Sequence, residues 1–351
     1  MKSILITGGC GFIGSHTCIE LLKKGYFVHI VDSNINSDES IIKEIQKTLV
    51  FEKKNDYTKN INFIRGDVRD ILLMEEIFQN AKKENKEISS VVHFAGLKSV
   101  EDSINYPIKY WDSNICSTIS LIKVMEKFNC KCLIFSSSAT IYKLSENLIS
   151  EDTRISPINP YGNTKAAIET FLNDLFHGLS SGWKIANLRY FNPIGAHNSG
   201  LIGELPKGTP TNIFPLILKV ATKELSEIKI FGNDWPTKDG TGVRDYIHVM
   251  DLAEGHMRTL DYLQNRNPGI IKLNLGTGKG ISVLELIKTF EEVNKVEIPY
   301  VFANKRKGDF GMVIADNSLA KDLLNWYPKK SVEDMCRDGW KWKNSLNYQN
   351  L

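Results

Sequence analysis

A tyrosine and a lysine four residues apart are the first side chains in this sequence whose types and spacing suggest catalysis. They are Tyr161 and Lys165. On a helix, positions i and i+4 share a face, so the phenol and the ammonium would point into the same site. A nearby ammonium lowers the pKa of a phenol, and a tyrosine with a lowered pKa can serve as a base near neutral pH. The alternative interpretation is an exposed helix face, and the neighbouring elements must decide between the two.

Three consecutive serines, Ser136 to Ser138, favour the catalytic interpretation. They follow a predicted strand at residues 132–136 and precede Tyr161 by a short segment. Parallel-sheet proteins bind their ligands at the carboxyl ends of the strands. We therefore expect the Ser138 hydroxyl and the Tyr161 phenol to converge at that edge of a sheet.

A glycine-rich turn near the start of the chain predicts the ligand. Gly8, Gly11 and Gly14 have the spacing G-x-x-G-x-x-G. Glycine permits a tight turn and lets the backbone approach a pyrophosphate, which then lies on the N-terminus of the following helix. Asp32 follows at the end of the second predicted strand, where a carboxylate binds an adenosine ribose and repels a 2′-phosphate. The pattern favours NAD over NADP; a flexible loop and a strand-end turn residue are the alternative interpretations.

The elements that must position these residues alternate along the first half of the chain. Short apolar runs predict strands at residues 2–7, 27–31, 61–65, 90–94, 132–136 and 183–189. Longer periodic stretches predict helices at residues 12–24, 40–49, 71–83, 107–128 and 160–179. Strands that alternate with helices indicate an α/β, Rossmann-like, doubly wound parallel sheet with helices on both faces.

The regular alternation weakens after Asn192. Helices are predicted at residues 214–223, 249–263 and 282–293, the last opened by a capping box of Ser282 and Glu285. Strands are predicted at residues 229–231, 271–275 and 300–303, and two further helices at the end of the chain. We therefore predict a large domain over residues 1–191 and a smaller C-terminal α/β lobe over residues 192–351, with segments such as 230–250 able to return to the large domain.

Composition excludes several other classes of protein. The chain has 351 residues, with 44 Lys and Arg against 41 Asp and Glu, so no charge excess is present to hold a nucleic acid or a membrane surface. The N-terminal residues lack the apolar core of a signal peptide, and no run of about 18 apolar residues predicts a membrane span. The six cysteines are scattered, and the Cys130-x-Cys132 pair alone is neither a zinc knuckle nor a redox pair. We expect a cytoplasmic protein with reduced thiols and without a metal site.

Longer segments give the sequence a resemblance to a known family. Residues 7–14, Ser138 and the Tyr161-x-x-x-Lys165 pair together resemble the extended short-chain dehydrogenase/reductase superfamily. Within it, the chain is similar to the UDP-glucose 4-epimerase family, also called UDP-galactose 4-epimerase, over nearly its whole length. The segments that carry this likeness are HFAGLK at 93–98, FSSSAT at 135–140, LRYFNP at 188–193, IFGND at 230–234 and DGTGVRDYIHVMD at 239–251.

The resemblance implies an NAD-dependent isomerase of galactose metabolism that interconverts UDP-galactose and UDP-glucose. Tyr161 would take the proton from the sugar 4-hydroxyl, Ser138 would hydrogen-bond to that oxygen, and Lys165 would hold the nicotinamide ribose. Hydride would pass from sugar C4 to NAD, and would return to the opposite face of the 4-keto sugar after the sugar turns over. The resemblance also implies a homodimer, in which helix 107–128 and the Tyr161 helix form a four-helix interface.

Further residues match the family's ligand contacts by position. The matches to NAD contacts, in addition to the glycine turn with Phe12 and Ile13, and to Asp32, Tyr161 and Lys165, are Asn36, Ser37, Asp67, Val68, Phe94, Ala95, Gly96, Lys98, Asn114 and Tyr190. The matches to UDP-sugar contacts, in addition to Ser138 and Tyr161, are Asn192, Asn212, Phe231, Arg244, Arg306 and Asp309. The six residues from Asn192 to Asp309 in this list belong to the smaller lobe, so UDP-sugar binding is expected mainly there. The alternatives are core aromatics for Tyr190 and Phe231, and solvated surface charges for Arg244 and Arg306.

Three positions depart from the family pattern. Lys143 stands where the family usually has glycine, and the loop from there to Tyr161 is short and lacks the usual early proline, which affects the expected conformation of this loop but not the catalytic residues. Glu101 replaces a glycine that usually follows the Lys98 segment. Val313 stands where some members carry tyrosine, which restricts the enzyme to UDP-glucose and UDP-galactose, and others a small residue, which admits the N-acetylated sugars. We hypothesise that this chain also accepts UDP-GalNAc and UDP-GlcNAc. The alternative is that Phe310 or Met312 fills the vacated space.

Other activities of the same fold compete with this interpretation. A nucleotide-sugar 4,6-dehydratase needs an Asp-Glu acid/base pair directly after the active-site hydroxyl, and the residues there are Ala139 and Thr140. A UDP-glucuronate decarboxylase or 4-epimerase is less firmly excluded. The rival of a different class is a non-catalytic NAD-binding sensor, although such proteins usually lose the catalytic Tyr or Lys.

Overall fold

The computed structural model describes residues 3–143, 148–178, 182–208, 210–306 and 308–345. Its strands are β1 Ser3–Thr7, β2 Phe27–Asp32, β3 Ile61–Arg65, β4 Ile88–His93, β5 Cys132–Ser138, β6 Lys184–Tyr190, β7 Asn192–Ile194, β8 Ile228–Phe231, β9 Val243–Arg244, β10 Tyr246–His248, β11 Gly269–Leu275, β12 Ile281–Ser282, β13 Tyr300–Ala303 and β14 Met312–Val313. Its α-helices are α1 Phe12–Lys23, α2 Ile41–Phe51, α3 Ile71–Lys83, α4 Val100–Asn105, α5 Pro107–Trp111, α6 Ser117–Lys127, α7 Pro160–His177, α8 Ile213–Ala221, α9 Val249–Gln264, α10 Val283–Asn294, α11 Ser318–Leu324 and α12 Val332–Lys343. None of the helices in these ranges is long and apolar enough to cross a membrane.

A seven-stranded parallel sheet organises the larger part of the chain. The strand order is β11-β6-β5-β4-β1-β2-β3, so the chain reverses direction across the sheet between β1 and β4. Thr7 lies opposite Val31 on one side and His93 on the other, and Ser138 lies opposite Tyr190. The carboxyl ends of these strands therefore meet along one edge, where doubly wound proteins bind their ligands. The predicted Rossmann-like fold is confirmed.

Alternate residues of β1 enter two different hydrophobic cores. Ile4 and Ile6 pack beneath α1 and α9, and Leu5 packs on the opposite face beneath α3, α6 and α7. All five residues of the strand are buried. A parallel strand that is covered on both faces has a nearly continuous apolar sequence, and this is why the strand was recognisable before the structure was known.

The chain returns to the large sheet after it has begun the smaller lobe. Helix α9 packs on α1, and β11 pairs in parallel with the whole of β6. Residues 249–275 therefore pack against the large sheet, and β11 pairs with the backbone groups at the outer edge of β6.

The smaller lobe has a separate core and three short sheets. Phe214 of α8, Phe290 of α10 and Trp342 of α12 pack together with neighbouring aliphatic residues. The sheets pair β7 with β10, β8 with β13, and β9 with β12 and β14. The capping box predicted for Ser282 and Glu285 is present at the start of α10.

The long helix predicted at residues 107–128 contains an irregularity. It is α-helical over α5 and α6, but a π-helical turn, Asp112–Cys116, joins them. The turn includes Asn114, whose side chain bonds both the amide and the carbonyl of Leu97 and the hydroxyl of Thr164. Helix α7 ends at His177, and Leu179, the predicted end, lies outside the described residues.

Candidate active site

The backbone of the turn between β1 and α1 is too tightly packed for a side chain at Gly8 or at Gly14, which follows in the first turn of α1. Gly8 has φ +72°, and a Cβ on it would lie 2.7 Å from the backbone nitrogen of Ala95. A Cβ on Gly14 would lie 2.4 Å from the carbonyl oxygen of Gly8. Helix α1 begins after Gly11 with neither a side-chain cap nor an acidic residue in its first turn. Its N-terminal amides therefore face an open cradle that suits a pyrophosphate.

Asp32 is buried at the end of β2, beside the glycine turn. One carboxylate oxygen accepts a hydrogen bond from the Cys10 amide at 3.0 Å, and the other accepts from the Asn34 amide at 2.9 Å and the Ser37 hydroxyl at 2.7 Å. These bonds hold an acceptor-only group in the wall of the site. A carboxylate in this place fits a ribose diol and repels a 2′-phosphate, so the residues present suit NAD.

A cavity of about 480 Å³ runs from the glycine turn to Tyr161 and Lys165. Every residue that the sequence assigned to the cofactor lines this cavity except Asn114. The Asn114 amide instead braces the backbone of Leu97, and its oxygen would meet a Cβ on Gly96 at 3.1 Å. It therefore shapes the loop after β4 from outside the cavity.

A segment of the smaller lobe closes one side of the cavity. This segment, residues 201–207, is called the strap below. The Lys207 amide donates to the Asn36 side chain at 3.1 Å, and the Glu204 carboxylate pairs with the Lys98 ammonium at 2.9 Å. Lining residues that the sequence did not assign include Cys10, Arg69, Leu97, Ser136, Trp342 and most of the strap. The Gly- and Pro-rich composition of the strap indicated an irregular segment, but nothing in it indicated which cavity it would border.

The three candidate catalytic residues lie together where β5 ends and α7 begins. Asn159 caps α7 by accepting from the Gly162 amide at 2.8 Å, which places Tyr161 in the first turn. Tyr161 and Lys165 are buried, and the Lys165 ammonium lies 5.8 Å from the centre of the phenol ring. Ser138, at the end of β5, lies close enough to the Tyr161 phenol to influence its pKa.

Burial is the largest influence on the pKa values of Tyr161 and Lys165. It raises the pKa of Tyr161 to about 12, although the Ser138 hydroxyl acts in the opposite direction. It lowers the pKa of Lys165 to about 8, opposed by the charge of Glu169. The sequence predicted that the nearby ammonium lowers the tyrosine pKa, but the pKa is raised, because desolvation of the phenol is the largest influence on it. The Lys165 ammonium donates to the Ser136 carbonyl at 2.6 Å.

Four of the residues matched to the UDP-sugar form a second cluster. The Arg306 guanidinium stacks 4.6 Å from the Phe231 ring centre and pairs with Asp309 at 2.9 Å. Arg244, on β9, is nearby and donates to the carbonyl of Phe310 at 3.0 Å. Among the described residues, no hydrogen bond joins Asn192, at the start of β7, or Asn212, at the N-cap of α8, to this cluster.

The three departures from the family pattern occupy defined places. Lys143 and Glu101 both have ordinary negative φ, so neither position requires glycine. The Lys143 amide donates to the Arg154 carbonyl at 2.7 Å, and Glu101 lies in the first turn of α4, where an acidic residue is favourable. Val313, on β14, pairs with Arg244 and packs against the cluster that includes Ala139.

The parts of the chain that the structure describes contain no group of three or more His, Cys, Asp or Glu side chains that could hold a metal ion. The residues that line the cavity supply backbone amides, a carboxylate, hydroxyls and apolar side chains, and such a lining suits an organic ligand.

Known proteins resemble this chain over nearly its full length. Residues 5–339 match the family model described as GDP-mannose 4,6 dehydratase. The chain is 46% identical to the UDP-glucose 4-epimerase of Bacillus subtilis over 344 residues, 98% of this chain and 97% of that protein. Its structure is similar to that of the UDP-glucose 4-epimerase from Stenotrophomonas maltophila with bound NAD and formylated UDP-arabinopyranose, with TM-score 0.92, 43% identity and 99% of both chains covered. It is also similar to the Bifidobacterium longum UDP-glucose 4-epimerase in complex with NAD+ and UDP, with TM-score 0.89, 44% identity and 98% of both chains covered.

The tightness of the glycine turn predicts the effect of one methyl group. In Gly14→Ala the new Cβ would meet the Gly8 carbonyl at 2.4 Å, so the turn must move away from the position that suits a pyrophosphate. We expect the affinity for NAD to fall by about tenfold or more, which corresponds to about 1.4 kcal/mol. Calorimetric titration of the cofactor-free protein with NAD measures it. Gly269→Ala is the matched control, because its Cβ would lie 3.8 Å from the nearest atom; equal affinities in the two variants would contradict the argument.

Proposed function

The chain belongs to the UDP-glucose 4-epimerase family, and from that membership we propose that it interconverts UDP-galactose and UDP-glucose with NAD as its bound cofactor. The observation that carries this proposal is that Tyr161 and Lys165 line one end of a cavity whose other end is the glycine turn, with Ser138 next to Tyr161 just outside the lining. A hydride acceptor and an acid/base group can therefore act on one carbon of a sugar.

The roles of the protein groups follow from their surroundings. Tyr161 takes the proton from the sugar 4-hydroxyl, and Ser138 hydrogen-bonds to the reacting oxygen. Because burial holds the Tyr161 pKa at about 12, proton removal requires positive charge beside the phenol, and the Lys165 ammonium supplies it. The glycine turn and Asp32 would hold NAD, which would supply reversible hydride transfer at sugar C4. No net oxidation results, so one cofactor serves every cycle.

The second cluster suits the uridine diphosphate. Arginines bind phosphate oxygens by paired hydrogen bonds, and Arg244 and Arg306 lie close together on the smaller lobe. Phe231 provides an apolar ring that suits the uracil, and the side-chain amides of Asn192 and Asn212 are donors for the remaining polar atoms. The diphosphate would thus be held by one lobe and the sugar presented to the other.

The structure adds an argument against dehydration. In a 4,6-dehydratase the residues after the active-site hydroxyl must transfer protons. Here Ala139 has no such group, and the Thr140 hydroxyl donates to Ser138 at 3.0 Å. The Thr140 side chain supports the Ser138 hydroxyl rather than acting as an acid or a base.

The proposed role of Tyr161 is tested with the protein as purified. Tyr161→Phe removes the only proton-accepting atom of that side chain, so conversion of UDP-galactose to UDP-glucose should slow by about 10² or more. Chromatography of the nucleotide sugars, without added NAD, measures it. Tyr327→Phe, at an exposed tyrosine, is the control. Full activity of the Tyr161 variant, or an inactive wild-type protein that still binds NAD, would favour the sensor.

We further propose that the sugar pocket admits the N-acetylated pair, UDP-GalNAc and UDP-GlcNAc. Val313 supports this because it is smaller than tyrosine and packs against the cluster that contains Ala139, the residue directly after Ser138. The wild-type protein should convert both substrate pairs. Val313→Tyr should lose most of the N-acetylated activity and retain conversion of UDP-galactose, measured as the ratio of the two rates. An unchanged ratio would mean that Phe310 or Met312 already limits the pocket.

A homodimer and a cytoplasmic location complete the proposal. Apolar side chains project from α4 and α5 next to α7: Ile104, Ile108 and Trp111 are exposed, and Ile108 is 83% exposed. Pairing two copies along α5, α6 and α7 would cover them. The six cysteines are free thiols, and all but Cys116 are buried, which suits a reducing compartment.

The dimer has its own test. Ile108→Glu places a charge in the proposed interface and should shift the protein toward monomer in sedimentation velocity experiments, because an unpaired buried charge is costly. Leu72→Glu on α3 is the matched control, since Leu72 is also exposed, at 78%. Equal sedimentation of both variants would show that the two copies pair elsewhere or not at all.

A further inference from the structure

Helix α7 holds the end of β5 with two successive turns. The Lys165 ammonium donates to the carbonyl of Ser136 at 2.6 Å, and the hydroxyl of Ser137 donates to the Glu169 carboxylate at 2.6 Å. Glu169 lies four residues after Lys165 and is 3% exposed. The strand end next to the reacting hydroxyl is thus fixed by the helix that carries the reacting phenol.

A buried arginine completes the arrangement. Arg189, on β6, is 0% exposed and binds both oxygens of the Glu169 carboxylate, with Nε 2.9 Å from Oε1 and Nη2 2.6 Å from Oε2. A buried ion pair seldom adds net stability, because the cost of desolvating two charges offsets their attraction. Stability is therefore a weak reason for this pair, and its other neighbours indicate what it fixes.

The remaining amino group of Arg189 holds the connection between β5 and α7. Nη1 donates to the Tyr142 hydroxyl at 2.7 Å and to the Glu151 carbonyl at 3.0 Å. The Tyr142 hydroxyl donates in turn to Asn274 of β11 at 2.6 Å. Tyr142 and Glu151 both lie between Ser138 and Tyr161 in the sequence, so a single guanidinium holds two described points of this connection.

We propose that Glu169 and Arg189 are a positioning pair for the epimerisation, which hold the Ser138 hydroxyl in register with the Tyr161 phenol and keep the Lys165 ammonium protonated. The inference rests on the proposed function and deepens it. Neither side chain lines the cavity, and both act through the residues that they contact.

The groups around Lys165 determine the sign of the expected pH effect. Glu169 and Tyr161 face it from its own helix, the Ser136 carbonyl and the Phe135 ring face it from β5, and His93 faces it from β4. Burial lowers the pKa of His93 to about 3, so this histidine is neutral at working pH. Glu169 is the anionic neighbour that raises the pKa of Lys165, and Arg189 stands directly behind it.

Loss of the Glu169 charge should therefore move the alkaline limb of the rate profile. In Glu169→Gln the Lys165 ammonium loses the negative charge of Glu169, while the positive charge of Arg189 remains nearby. The pKa of Lys165 therefore falls further below about 8. The active form contains protonated Lys165 and is lost as pH rises through that pKa. The alkaline limb of kcat should move to lower pH by about one unit, the effect of one nearby charge.

Two conservative variants separate position from charge. Glu169→Asp keeps the negative charge but withdraws the carboxylate by one methylene, so kcat should fall about tenfold while the alkaline limb stays in place. Arg189→Lys keeps the positive charge but loses the planar fork that reaches Glu169 and Tyr142 together, and we expect the same pattern. The experiment measures kcat and KM for UDP-galactose between about pH 6 and pH 10 for the three variants and the wild type.

The control is a buried pair in the other lobe. Asp338→Asn removes the negative charge that faces buried His248, 3.2 Å away, and should lower the melting temperature without moving the pH profile. If Glu169→Gln likewise lowers only the melting temperature, the pair is structural and the proposal is wrong.

A second readout does not depend on turnover. NMR of lysine-labelled protein, with the Lys165 signal assigned by Lys165→Met, follows the titration of the ammonium directly. A lower pKa in Glu169→Gln supports the charge role even if the wild-type protein converts neither substrate pair, which would overturn the proposed function alone. An unchanged pKa overturns the charge role.

Discussion

The contact between two backbone segments, at Gly8 and Ala95, determines the dimensions of the site. The turn after β1 passes so close to the chain leaving β4 that even one Cβ would not fit. The next strand across the sheet is β5, which ends at Ser138, so the separation of the cofactor turn from the reacting hydroxyl is set by strand spacings of about 4.8 Å each. A parallel sheet cannot stretch in that direction without breaking its hydrogen bonds. The distance between the ends of the cavity is thus a property of the fold.

Burial then determines what the residues can do at that distance. The same removal of water raises the pKa of the Tyr161 phenol to about 12 and lowers that of the Lys165 ammonium to about 8, so it opposes the charged form of both. A phenol with so high a pKa is a poor base until cationic charge is placed beside it. The reaction therefore depends on keeping Lys165 protonated in a dry site, and a carboxylate one helical turn further along the same face provides for this.

Sequence reasoning reached the local features and missed those that depend on distant segments. The bounds of β3, α3 and β13 were predicted as observed, because their apolar pattern and flanking turns are local signals. The residues of the glycine turn and Asp32 were found by spacing. The strap was recognised only as irregular, because its place against Asn36 and Lys98 results from folding of the smaller lobe onto the larger one. The raised pKa of Tyr161 was missed for a similar reason: desolvation depends on everything that packs around the ring.

The relation between Tyr161, Lys165 and Glu169 shows how one helix can combine these requirements. Four residues advance an α-helix by slightly more than one turn, so successive i+4 positions rotate by about 40°. Tyr161 reaches the open cavity, and Lys165 lies between the cavity and the end of β5. Glu169 points into the core, where Arg189 neutralises its charge. If the three side chains pointed in the same direction, either the Glu169 carboxylate would be exposed to the cavity or the Tyr161 phenol would be buried away from it. Because the helix rotates by this small angle, the Tyr161 base, the Lys165 cation and the Glu169 counter-charge lie one after another from the cavity to the core. In the sequence, this arrangement appears as three residues that are each four positions apart.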